Sequence, residues 1–113
     1  MKTLDQERSE FAWAKVQGMS KDYKNLAKSM PALVMTNGLM QALAFLEAKG
    51  ENQHRNLLGH IQEWLRIQQI LSDTSFEGTM KKFAHEMDSL DYQRATEETL
   101  AILRWIRHLA DTL

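Results

Sequence analysis

Residues 89–113 read SLDYQRATEETLAILRWIRHLADTL, and within them Tyr92, Ala95, Thr99, Ile102, Ile106, Leu109 and Leu113 recur at intervals that alternate three and four without a miss. At about 100° per residue these positions form one stripe, the signature of an amphipathic helix. Ser89 is a good N-cap for it. Leu100 and Trp105 project to either side, about 130° and 90° from the centre of the stripe, with Leu103 between the stripe and Leu100. Either neighbouring helices wrap this arc, or part of it, Leu100 and Trp105 first, faces another protein.

The same three-and-four spacing continues towards the N-terminus. Phe76, Met80, Phe83 and Met87 mark a short helix opened by a Thr74–Glu77 capping box. Leu57, Ile61, Trp64 and Leu71, with Leu58 and Leu65 beside them, mark a helix over Gln53–Leu71. Before it, Leu33, Val34, Met35, Leu39, Met40, Leu43, Phe45 and Leu46 leave almost no polar face. That helix is expected to start at Pro31, to end at Lys49 against a Gly50 cap, and to be the central one. The first helix starts near Leu4 behind a Thr3–Gln6 capping box and carries the stripe Ala12, Val16, Met19, Tyr23, Leu26 and Met30. Pro31, lacking an N–H and disfavouring helical geometry in the preceding residue, is expected to end it. Connections of a few residues make successive helices packed neighbours. The expected fold is all-α: a compact bundle of about five helices, with residues 1–113 as one domain.

Composition narrows the function classes. Of the 113 residues 43% are hydrophobic and 26% charged, the balance of an ordinary globular chain and unlike that of a disordered tail. The longest uncharged run, Met30–Leu46, is 17 residues and is interrupted by Pro31, Asn37, Gly38 and Gln41, so no membrane span is expected. Lys2, Asp5, Glu7, Arg8 and Glu10 stand where a signal peptide would need an apolar core, so none is expected. With no cysteine there is neither a disulfide scaffold nor thiolate chemistry, which suits the cytoplasm. The net charge of -1 does not by itself point to nucleic acid.

Catalytic signals are missing. His54 and His60 stand six apart, on different helix faces, and no HExxH or His/Cys metal spacing occurs. Gly18, Gly38, Gly50, Gly59 and Gly78 are scattered and form no phosphate-cradling loop. Asp88, Asp91, Glu97 and Glu98 gather near the start of the last helix, where negative charge complements the helix dipole. No catalytic residue, metal site or cofactor is assigned.

Positive charge is distributed unevenly. Lys21, Lys24 and Lys28 lie opposite the apolar stripe, within an arc of about 60°. Such a ridge is either an ordinary solvated face or a stripe that meets phosphates without reading sequence.

Two blocks carry information beyond periodicity. The first runs from Tyr23 through Leu26, Ala27, Met30 and Pro31 to Thr36–Leu39, Gln41–Leu46 and Lys49; the second comprises Tyr92, Arg94–Glu98, Leu100, Ala101, Leu103, Trp105–Arg107 and Ala110. Together they resemble the small α-helical subunit of type III-B CRISPR effector complexes, the Cmr small subunit. Met30 stands where that family usually has leucine before the proline, a tolerated apolar exchange. The resemblance implies a non-catalytic structural subunit of an antiviral ribonucleoprotein. Copies would stack head to tail along a backbone of repeat-associated (RAMP) subunits and line the channel that holds the guide–target RNA duplex, with sequence reading left to base pairing. Carried onto this chain, Lys24, Lys28, Lys49 and Arg94 become the candidate RNA contacts, and Leu100 and Trp105 the candidate subunit contacts. The competing reading is a stand-alone α-helical protein–protein adaptor with no nucleic-acid role.

Overall fold

A computed structural model describes the whole of Met1–Leu113. Six α-helices make it up: α1 (Leu4–Val16), α2 (Lys21–Asn37), α3 (Leu39–Lys49), α4 (Asn52–Ile67), α5 (Phe76–Lys81) and α6 (Ser89–Thr112). α5 runs straight into a π-helical turn over Lys82–Glu86. The molecule measures 39 × 38 × 24 Å, so its short axis is about two helix diameters deep.

The helix starts follow side-chain chemistry. Thr3 and Gln6 close the expected capping box on α1. Ser20 Oγ accepts from the Tyr23 N–H at 3.1 Å, Ser75 Oγ from Gly78 at 3.0 Å and Asp88 Oδ1 from Asp91 at 2.8 Å. The caps of α5 and α6 therefore lie one residue away from the expected Thr74 and Ser89. α3 has no side-chain cap of its own. Instead the Tyr92 hydroxyl, from α6, accepts the Met40 N–H at 3.0 Å and satisfies one of the orphan donors at that helix start.

Two breaks differ from the expectation. The continuous first stripe is interrupted between α1 and α2 at Gly18, whose φ is +70°, and Ser20 then starts a new helix. Pro31 does not end a helix; it lies inside α2, which continues to Asn37. Tyr23, Ala27, Met30 and Val34 are all buried on either side of it, and burial of that stripe outweighs the one backbone hydrogen bond that proline removes. The chain bends instead at Gly38, with φ +90° and ψ 160°, a conformation that L side chains rarely adopt. Gly50 caps α3 in the left-handed region, as expected. α4 stops at Ile67; Leu71 is buried beyond it, where the chain folds back and the N–H groups of Ile70 and Leu71 both donate to the Leu65 carbonyl.

Centrality belongs to α6. It packs against α1, α2 and α4, whereas the apolar α3 lies against α2 and α4. Ala95, Thr99, Ile102, Leu103, Ile106 and Ala110 are buried along it. α2 runs antiparallel to α6, since Lys28, midway along α2, meets Asp111 near the end of α6 while Met40, just past the end of α2, meets Tyr92 near the start of α6. Trp64 to Glu98 and Gln68 to Arg94 make α4 antiparallel to α6 as well.

Polar contacts fix how these helices sit. Arg8 of α1 donates from Nε and Nη2 to the two carboxylate oxygens of Glu98, at 2.7 and 2.8 Å, and Trp64 Nε1 of α4 donates to Oε1 at 2.9 Å. The Arg8 and Glu98 side chains are 21% and 12% exposed, which leaves this pair mostly shielded from solvent. Burial pushes the Glu98 pKa up, and the hydrogen bonds from Arg8 and Trp64 outweigh it, so the carboxyl ends below its ordinary range. A second link joins α2 to α4: the Tyr23 hydroxyl and His60 Nδ1 are 2.8 Å apart, and the rings meet edge to face. Burial raises the phenol pKa. Burial, helped by Lys15 and opposed by Glu63, lowers that of His60 to about 4.

Glu98→Gln keeps the shape of the side chain and loses the charge. It is expected to lower the stability read from urea unfolding by about 2 kcal/mol, the range for hydrogen bonds to a charged group. His60 stays neutral in the fold, while its unfolded pKa is 6.5. The unfolded chain therefore binds the extra proton first. The stability contributed by neutral His60 is present above pH 6.5 and is lost as pH falls from 6.5 towards 4. The urea midpoint should drop across that window, and His60→Gln should flatten the dependence.

Candidate nucleic-acid interface

The four candidate RNA contacts lie on three helices. Lys24 and Lys28 lie one turn apart on α2, so they share a face. Lys24 is half-buried and Lys28 exposed, and Lys28 Nζ is bound to Asp111 Oδ1 at 2.6 Å. That contact holds the Asp111 carboxyl below its usual range. Lys21, the third member of the ridge, is exposed and has no acidic partner. Lys49 ends α3 with its ammonium over the Phe45 ring, 5.8 Å from the centroid.

Arg94 is near the start of α6 and reaches the Gln68 carbonyl at 3.4 Å. Asp111, the anchor of Lys28, is 17 residues further along the same helix, about 25 Å by helical rise. Arg94 and Lys28 therefore stand at opposite ends of α6. The structure brings together Lys24 and Lys28 and sets Arg94 apart from them.

The apolar arc on α6 is largely enclosed. Leu103 is fully buried and Leu100 packs, partly buried, against the core. Trp105 is also partly buried, and its indole Nε1 donates to Asp5 Oδ1 of α1 at 2.9 Å. Leu100 and Trp105, the candidate subunit contacts, are thus partly covered within the domain and partly open. Apart from the terminal Met1, the large apolar side chains most open to solvent are elsewhere: Met35 and Leu90 are 75% and 74% exposed. The Tyr92–Met40 contact puts both near the junction where α3 meets the start of α6.

One concave feature was missed by the sequence reading. An open groove of about 420 Å³ runs along α4, bounded by Arg55, Asn56, Gly59, His60, Arg66 and Thr74, with no hydrophobic residue in its lining. Gln62 and Glu63 also border it. Glu63 is paired with Lys15 at 2.7 Å, whereas neither Arg55 nor Arg66 has an acidic partner. The signal was available in the spacing: Arg55 and Arg66 are eleven apart, three helical turns and about 20° from exact register, so they share a face.

The sequence alone presents Glu98 as one acid among several complementing the helix dipole. It is instead the tertiary ligand of Arg8 and Trp64, a role that pairing across 90 residues of sequence conceals. The histidines are dispersed: His54 is buried with Phe45 against its ring, His60 is bound to Tyr23, and His85 and His108 are exposed.

Comparison with known proteins agrees over the whole length. The family model for the CRISPR-associated protein Cas_Cmr5 matches residues 4–113. The CRISPR system Cmr subunit Cmr5 of Thermus thermophilus is 30% identical across 118 aligned positions, which take in 100% of this chain and 97% of that protein. The X-ray crystal structure of a CRISPR-associated Cmr5 family protein, also from Thermus thermophilus, superimposes with a TM-score of 0.80 at 28% identity, covering 100% of this chain and 98% of the other. With a shared fold, a full-length family match and a relative at 30% identity, the chain belongs to the Cmr5 family of CRISPR-associated proteins.

Proposed function

We propose that this chain is a non-catalytic structural subunit of a type III-B Cmr ribonucleoprotein, assembled as one helical domain in the cytoplasm. It stacks on further copies of itself along the RAMP backbone subunits and lines the channel that holds the guide–target RNA. The observation that carries the reading is the combination of Cmr5 family membership with cations left free of acids. Lys24, Lys49 and Arg94 have no ion-pair partner, and Lys28 has one it can exchange for a phosphate at the surface.

The charge balance agrees with a role inside an assembly. A chain of net charge -1 attracts a polyanion weakly, and a few separated cations neutralise few phosphates. Placed along a channel by neighbouring subunits, the same cations act at high effective concentration, and affinity accumulates over many copies. Sequence specificity then comes from base pairing.

In the complex reconstituted with guide-loaded backbone subunits, the triple change Lys24→Ala, Lys28→Ala, Arg94→Ala should weaken target-RNA retention and reduce its dependence on salt, with circular dichroism unchanged. At about 0.7–0.9 per phosphate contact, loss of three contacts lowers the slope of log affinity against log salt by about 2. Retention and slope that stay at wild-type values would remove the lysine ridge from the channel wall. The isolated chain should bind RNA weakly in the same titration.

A further inference from the structure

The Arg55–Arg66 groove on α4 has a composition that selects its ligand. No hydrophobic residue lines it, which argues against an apolar side chain or a hydrophobic small molecule as occupant. Its one carboxylate, Glu63, is matched by Lys15, so the two arginines leave it with an uncompensated positive charge. His60 adds none, being neutral at physiological pH. Asn56 and Thr74 add neutral hydrogen-bonding groups, and a Cβ at Gly59 would meet nothing within 4 Å, which marks open space between the two guanidiniums.

Guanidinium forks suit phosphate oxygens bidentately. The Arg55 and Arg66 backbones stand about 16 Å apart along the helix axis, a spacing that suits a chain of anions. We propose that this groove is a phosphodiester-backbone site, a second RNA contact distinct from the lysine ridge of α2. The proposal rests on the channel-lining role and adds to it the residues with the best geometry for phosphate. Arg55 and Arg66 hold the backbone at two points, and Asn56 contacts the stretch between.

The test compares two variants in the reconstituted, guide-loaded complex: Arg55→Ala with Arg66→Ala, and the lysine-ridge triple. Both arginines are exposed and unpaired, so the fold should persist. Target-RNA affinity should fall several-fold for the arginine pair, with the salt slope reduced by about 1.5 for two lost contacts. Arg55→Lys with Arg66→Lys should retain the slope while losing part of the affinity, because charge stays and the fork goes. A photo-crosslinker at Asn56 should attach to RNA, and labelling guide and target separately identifies the strand. It also gives the answer if the arginine pair fails to assemble. Unchanged affinity and slope in an assembled complex, or a crosslink formed only to a protein subunit, would overturn the groove assignment. If only the ridge triple weakens retention, the groove alone is wrong. If neither variant does and Asn56 touches no RNA, the channel-lining role fails with it.

Discussion

The Glu98 carboxylate accepts three hydrogen bonds, two from Arg8 and one from Trp64, and the arrangement of α1, α4 and α6 depends on it. Apolar packing alone favours many rotations and offsets of one helix on another, because dispersion and hydrophobic burial are non-directional. A bidentate arginine–carboxylate pair with an indole N–H on the same oxygen admits one geometry. The apolar surroundings then follow: Phe11 tilts against Trp64 with ring centroids 5.1 Å apart, and Ala12, Val16, Ala95 and Ile102 are buried without exposure. Such pairs are a modest source of net stability and a stronger source of uniqueness.

A second set of polar contacts does the same for the other half of the molecule. Tyr92 reaches from α6 to the first turn of α3, and Tyr23 reaches from α2 to His60 on α4. Gln62 of α4 donates to Thr79 of α5 at 3.0 Å. Each link joins elements through a buried or half-buried group whose partner is far away in sequence. Together they hold the 24 Å thick slab in which α2, α4 and α6 present their polar faces outward. The lysine ridge and the arginine groove are features of those outward faces. A rigid frame fixes the helix positions from which their cations project.

Helix content and core composition were legible in the sequence, since the three-and-four spacing of apolar residues is a local property that survives any packing arrangement. The same insensitivity hid the breaks. A stripe such as Ala12, Val16, Met19, Tyr23 keeps its spacing across the turn at Gly18, so periodicity did not register the end of α1. Pro31 looked like a terminator because its backbone cost is local, while the burial that overrides it involves α6 and α4, outside any local window. The family resemblance was legible as well, carried by residues such as Asn37–Gly38 that shape the backbone where the chain bends. The α4 groove escaped notice because its arginines are ordinary solvated residues until the loop carrying Thr74 closes one side.

By itself the sequence determined an all-α fold, its main apolar stripes, its near-neutral charge with lysines gathered on one ridge, and its membership of a recognisable family. Each of these is set by residue identity and by spacing within a few turns. Only the tertiary structure decided that α6 is the axis, that Glu98 is a ligand rather than a dipole complement, that Lys28 is held by Asp111, and that Arg55 and Arg66 stand free beside one groove. These depend on which distant side chains meet, and partner choice among charges comes from packing geometry that no local pattern encodes.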